Sequence, residues 1–215
     1  MTLSVTIIIS YLFGAIPFGW LFSWLFFHID IRKIGSGRTG TTNTMRAGGY
    51  PVAILTMIFD VSKGFFAVWL AKMLVPGNNW VEIFAPLAGI IGHNYSIFLI
   101  EKRDDGKIQF GGGAGGAPAF GGALGLWLPS FWYLIIVGLI AFFGIGYASV
   151  TTMSIGFTIM IIFALRAWMN LSPWSYFIYG IIAEILLVWA LRPNIQRLKN
   201  GNERGVSWRA YSKRK

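Results

Sequence analysis

The stretch Gly35-Ser36-Gly37-Arg38-Thr39-Gly40-Thr41-Thr42-Asn43-Thr44-Met45-Arg46 combines three kinds of group that suit a phosphate. Its glycines permit tight turns, and successive backbone N–H groups in such turns form anion-binding concavities. The hydroxyls of Ser36, Thr41 and Thr42 add neutral donors, and Arg38 and Arg46 add guanidinium forks matched to phosphate oxygens. Asn43 reads either as part of the cradle or as a helix cap. No GxxxxGK[ST] pattern is present, and an ordinary basic loop is the competing explanation.

Three smaller constellations carry further polar chemistry. Asp60 and Lys63 lie three apart in an apolar run, so a helix sets them on one face, where pairing lowers the cost of burying either charge. They read as a structural ion pair or as a lysine near phosphate oriented by the aspartate. Gly92-His93-Asn94-Tyr95 offers an imidazole that polarises a hydroxyl, accepts its proton, or simply caps a helix. Near the end, Pro193-Asn194-Ile195-Gln196-Arg197-Leu198-Lys199 offers Asn194 for a polar substrate and basic residues for lipid headgroups.

Apolar segments must position all of these. The 215 residues are 55% hydrophobic and 12% charged, with mean hydropathy +0.62, which excludes an ordinary water-soluble domain. A bilayer core needs about 20 apolar residues in a helix. Candidate spans are Leu3 to Phe27, Val52 to Val75, Trp80 to Ile100, Gly111 to Leu128, Phe131 to Ala148, Ile155 to Ala167 and Trp174 to Leu191. The expected fold is an all-α integral membrane protein of about seven transmembrane helices, forming a single membrane-embedded domain over residues 1–215. An N-terminus outside places all of the 18 basic residues except Lys63, Lys72 and Arg166 on the inner side, as the positive-inside bias requires. The net charge of +10 is therefore explained by orientation and needs no nucleic acid. The tail ending Lys213, Arg214 and Lys215 is expected to rest on anionic lipid. Without cysteine and with two histidines, thiol chemistry is excluded and no metal site is expected. The glycine-rich run Gly111 to Gly125 reads first as close helix packing and second as a broken helix at a site.

Together these motifs resemble the bacterial glycerol-3-phosphate acyltransferase family that uses acyl-phosphate as donor. Its GSGNxGATNxxR loop is matched by Gly35 to Arg46, its DxxKG by Asp60 to Gly64, and its GHxFPxF loosely by Gly92 to Phe98. Its HRxNIxRLxxGxE is matched at Arg192, Asn194, Ile195, Arg197, Leu198, Gly201 and Glu203. Three positions depart: Arg38 replaces an asparagine, Ala114 the lysine of FxGGKGVAT, and Leu191 a histidine. A charged insertion, Glu101 to Gln109, also separates the histidine element from Gly112 and Gly113.

The resemblance implies a cofactor-free transfer of an acyl group from acyl-phosphate to the 1-hydroxyl of glycerol 3-phosphate. The implied setting is the cytoplasmic face of a multi-pass plasma-membrane protein, with membrane lipids around it and a monomer as the expected form. It implies phosphate contacts from Ser36, Gly37, Thr41, Thr42, Asn43 and Arg46, with Arg38 or Lys107 restoring the charge lost at Ala114. His93, Asn194 and Lys63 would serve catalysis, supported by Asp60, Gly92, Gly112, Gly113 and Glu203. A transporter for an anionic metabolite and a noncatalytic homologue are the alternatives, and Ala114 and Leu191 are expected to alter or abolish activity.

Overall fold

A computed structural model describes residues 2–102 and 105–206; Arg103 and the tail residues Lys213, Arg214 and Lys215 lie outside that range. The described chain is a helical bundle: α1 (Thr2–Ala15), α2 (Phe18–Phe27), α3 (Thr41–Leu74), α4 (Asn79–Asn94), α5 (Gly116–Leu126), α6 (Ser130–Leu139), α7 (Ala148–Trp168), α8 (Trp174–Ala190) and α9 (Arg192–Lys199). Large apolar side chains cover its outside, among them Trp132 at 66% and Trp168 at 75% exposure, a surface suited to lipid and costly in water.

Each of the seven apolar segments contains a helix, but their lengths differ from the sequence expectation. Thr2–Phe27, Thr41–Leu74 and Ala148–Trp168 are long and apolar enough to cross a bilayer; a fourth counts if α8 and α9, bent by 63°, form one span. The first segment breaks at Ile16-Pro17, where proline supplies no N–H to continue the ladder. α3 kinks at Gly49 (φ 77°, ψ −171°), two residues before Pro51, which falls in the first turn of the new helix, where no N–H is needed. Thr41–Gly48 is thereby a separate short helix leading into the long apolar one.

The third segment ends earlier than expected, at Asn94. Ser96–Lys102 forms strand β1, paired antiparallel with β2 (Ile108–Gly111), with Ile100 opposite Phe110 and Lys102 opposite Ile108. The run Ile97-Phe98-Leu99-Ile100 is rich in β-branched and aromatic residues, and Gly106 (φ 80°) supplies a left-handed turn residue between the strands.

Small residues draw the helices together. Gly14 of α1 lies against Gly89 of α4, and Gly64 of α3 against the Pro118 carbonyl of α5, so closely that a Cβ on either glycine would overlap backbone. Behind these contacts, Ile83 and Ile90 (α4), Ala119 (α5), Phe163 (α7) and Tyr179 and Leu187 (α8) form a solvent-free core, and the Tyr179 hydroxyl donates to the Ala119 carbonyl at 2.8 Å. This packing gathers the start of α3, the end of α4, the starts of α5 and α7 and the α8–α9 bend around one polar cleft.

Candidate active site

One wall of the cleft is the loop before α3 and the first turn of that helix. Asn43 organises it: its buried Nδ2 lies 3.0, 3.0 and 2.9 Å from the carbonyls of Ile31, Ile34 and Arg38, while its Oδ1 accepts from the Ser36 N–H at 3.1 Å. Asn43 thus holds the cradle together, and the N-cap is Gly40. Ser36, Gly40, Thr41, Thr42 and Arg46 line the cleft beside this helix N-terminus, whose unpaired N–H groups and dipole favour an anion. Gly37 (φ 71°) faces an adjoining groove. Upstream, Arg32 pairs with Asp30 at 2.7 Å and with Glu101 of the hairpin; its hydrogen bonds hold the Asp30 carboxyl below the usual carboxylate range.

At the floor, the i,i+3 spacing puts Asp60 and Lys63 in contact, with Lys63 Nζ 2.7 Å from Asp60 Oδ1 and both residues 1% exposed. Lys63 does not face the cleft as a phosphate ligand would. It turns to His93, its Nζ 3.1 Å from Nδ1, and Asp60 and His93 form the lining. Gly113 donates its N–H to the His93 carbonyl at 2.8 Å, and Thr39 donates to the Gly112 carbonyl at 3.2 Å, stitching the glycine run between α4 and the first loop. Gly92 serves packing: a Cβ there would strike the Tyr11 carbonyl of α1.

The opposite wall comes from α9 and the segment after it. Glu203 accepts from Asn194 Nδ2 at 2.8 Å, from Arg197 Nε at 2.8 Å and from the Ser149 hydroxyl at 3.5 Å. With its amide N–H group committed, Asn194 keeps Oδ1 as an acceptor, and no donor among the described residues reaches it.

Arg38 spans the two walls. Its guanidinium approaches the Gly113 carbonyl at 3.4 Å and donates to the Ala190 carbonyl at the end of α8, so it rests on the residues immediately preceding Ala114 and Leu191. Burial, with repulsion from Arg197, lowers its pKa from the usual arginine range. Lys107 is not brought in: its side chain is 79% exposed on the hairpin side of the molecule, 3.8 Å from Asp105. Ser149, Thr152 and Arg204 also line the cleft and were not singled out from sequence. Their signal was the polar Ser149-Val150-Thr151-Thr152 run opening an otherwise apolar helix. Among the described residues no group of acidic, histidine or cysteine side chains could hold a metal ion.

An apolar helical bundle with a cationic, hydroxyl-lined cleft at one end defines a membrane-embedded protein built for an anionic substrate. The chain belongs to the glycerol-3-phosphate acyltransferase family, whose pattern it matches over residues 4–201. It is 34% identical to a glycerol-3-phosphate acyltransferase of Thermus thermophilus over 214 residues, covering 99% of this chain and all of that one. A relative of the same description from Gloeobacter violaceus is 34% identical over 200 residues, 90% of each chain. Two crystal structures of PlsY (YgiH), an integral membrane glycerol 3-phosphate acyltransferase, superpose with it. The glycerol 3-phosphate form gives a TM-score of 0.81 at 27% identity over 95% of this chain and 96% of that one. The lysophosphatidic acid form gives 0.80 at 26% identity, covering 95% of each.

Proposed function

We propose that this protein transfers an acyl group from acyl-phosphate to the 1-hydroxyl of glycerol 3-phosphate. The observation that carries the reading is the convergence of the loop residue Ser36 and an arginine-bearing helix N-terminus (Thr41, Thr42, Arg46) with Arg38 and a Glu203-oriented Asn194 around one cleft. Two phosphorylated substrates bring two phosphates to it, and the cleft has guanidinium groups on both walls. The helix N-terminus and Arg46 hold the acceptor phosphate, and Arg38 lies nearest the donor phosphate. Asn194 Oδ1 accepts the hydrogen bond of the attacking hydroxyl. A bond forms between that oxygen and the acyl carbon, the acyl carbon–phosphate oxygen bond breaks, and the proton leaves with phosphate. The donor is already an activated anhydride, so aligning it with the hydroxyl removes much of the barrier.

In this reading the chain crosses the plasma membrane seven times and the cleft opens to the cytoplasm, where the basic loops lie. The acyl chain passes between helices into lipid. The test is product formation: purified protein in lipid vesicles, given acyl-phosphate and glycerol 3-phosphate, yields 1-acyl-glycerol 3-phosphate and phosphate. No lysophosphatidate, where a related active enzyme produces it in the same assay, would sink the reading. Flux of glycerol 3-phosphate into sealed vesicles without conversion would indicate transport.

A further inference from the structure

We propose that Lys63 is a positioning residue that holds His93 in the tautomer protonated at Nε2, making His93 a fixed hydrogen-bond donor to the acyl carbonyl oxygen and excluding it as the base. The carbonyl contact rests on the reaction assigned above; the tautomer rests on geometry alone. Lys63 Nζ lies 2.7 Å from Asp60 Oδ1 and 3.1 Å from His93 Nδ1, and all three residues are buried. An amine buried against a carboxylate is held as ammonium, because either charge alone would be far costlier to bury. Ammonium has three donors and no acceptor, so the His93 nitrogen facing it must offer a lone pair. The ring proton is then on Nε2.

The other arrangement fits poorly. An Nδ1–H aimed at Asp60 Oδ1 would span 3.5 Å to an oxygen already taken by Lys63, and would point its hydrogen toward the ammonium. A doubly protonated ring would set a second buried cation against Lys63 with the single carboxylate of Asp60 between them.

Nε2 lies on the ring edge packed against Gly113. A Cβ at Gly113 would overlap it, so the absence of a side chain there keeps this edge clear, while the Gly113 N–H bond to the His93 carbonyl anchors the backbone. His93 lines the cleft, and among the described residues no acceptor lies within hydrogen-bond distance of Nε2. With Nδ1 occupied by Lys63 and Nε2 already protonated, the ring has no site for the hydroxyl proton. It has an N–H to give to a carbonyl oxygen that gains charge as the hydroxyl adds, and a donor already in place pays no reorganisation cost at that moment.

Ring-15N histidine NMR of the full chain in lipid tests this, because only His28 and His93 contribute. His28→Asn assigns the spectrum and leaves activity intact, since His28 caps α2 at a left-handed φ of 54° that asparagine tolerates. The expected native spectrum has a pyridine-like Nδ1 and a protonated Nε2 for His93. Lys63→Met, or Asp60→Asn/Lys63→Met if the single change prevents folding, should mix the tautomers and lower kcat roughly tenfold, with KM for glycerol 3-phosphate nearly unchanged. His93→Gln should retain more kcat than His93→Ala, which should lose about 100-fold or more. Native His93 protonated at Nδ1, or a Lys63→Met ring that keeps one tautomer, overturns the positioning role in an active enzyme. A native Nε2–H ring in a protein that forms no lysophosphatidate overturns the reaction and the carbonyl contact, and leaves the tautomer standing.

Discussion

Two stretches of this chain are glycine-rich, and they use glycine for opposite purposes. In Gly35 to Gly49 the glycines shape a surface: Gly35 (φ 54°) and Gly37 (φ 71°) turn the loop left-handed, and Asn43 fixes the result with bonds to three carbonyls. In Gly111 to Gly125 the later glycines sit inside α5 with ordinary helical backbone and let it press on its neighbours, Gly121 on the Val61 carbonyl and Gly122 on Tyr179. One set leaves room for a ligand and the other removes room between helices. The difference lies in what stands beside each glycine: hydroxyls and arginines in the first case, alanine, leucine and phenylalanine in the second. Changes in the two stretches should therefore separate catalysis from stability.

The largest separation is expected at Arg46. Arg46→Ala removes a guanidinium beside a helix N-terminus, where a charge-assisted bidentate contact to phosphate is at stake. Acceptor kcat/KM should fall by about 100- to 1000-fold, equivalent to roughly 3–4 kcal/mol, with little change in thermal unfolding. Steady-state kinetics against glycerol 3-phosphate read the effect, and unchanged kcat and KM would remove Arg46 from the site.

The contrast also explains which parts of the molecule were legible in the sequence. Apolar runs announce helices because lipid forces internal backbone bonding, and a three-residue spacing announces that Asp60 and Lys63 share a face. Neither pattern says where a long side chain ends. Lys63 turns to His93, thirty residues on, and the Asn43 side chain turns back into its own loop; both follow from packing between segments. The same limit separates Arg38 from Lys107. Both are cations that could stand near Ala114, and only the α8 end, docking beside Gly113, decides that Arg38 does. The hairpin is hard to read from sequence because the apolar run Ile97-Phe98-Leu99-Ile100 resumes after a polar break of only four residues, His93 to Ser96, so the whole segment reads as one helix ending at Ile100. Shortness hid the other boundaries: α4 and α5 have 16 and 11 residues, too few to declare a full span by composition.

In the second stretch the expected effect is smaller and falls on folding. Gly121→Val would drive a branched side chain into the Val61 carbonyl and toward the Phe65 N–H of α3, backbone atoms that cannot step aside without moving the helix. Overpacking of this kind costs about 1–3 kcal/mol. It should appear as a lower unfolding temperature and a poorer yield of monodisperse protein, while the folded fraction keeps the native KM for glycerol 3-phosphate. A stable Gly121→Val protein with impaired acceptor binding would reverse the assignment and make α5 part of the binding surface.

Gly40 offers the finest test, because it belongs to the first stretch yet is under no conformational demand. Its φ of −87° is open to any residue, and a Cβ built there meets nothing within 4 Å. A structural reading predicts that Gly40→Ala is silent. The site reading predicts a specific fault. Gly40 is the N-cap of α3 and lines the cleft, so a methyl group there projects into the space above the helix N-terminus, where a phosphate would sit on the N–H groups of the first turn. Alanine is a poorer N-cap than glycine by up to about 1 kcal/mol, which bounds the loss of stability. Acceptor KM should rise several-fold with kcat largely kept, because the methyl group excludes the ground state and the transition state alike. Kinetics and thermal unfolding on one preparation decide it: a KM unchanged from the native value would mean that the phosphate lies elsewhere in the cleft, nearer Arg38 and Arg197.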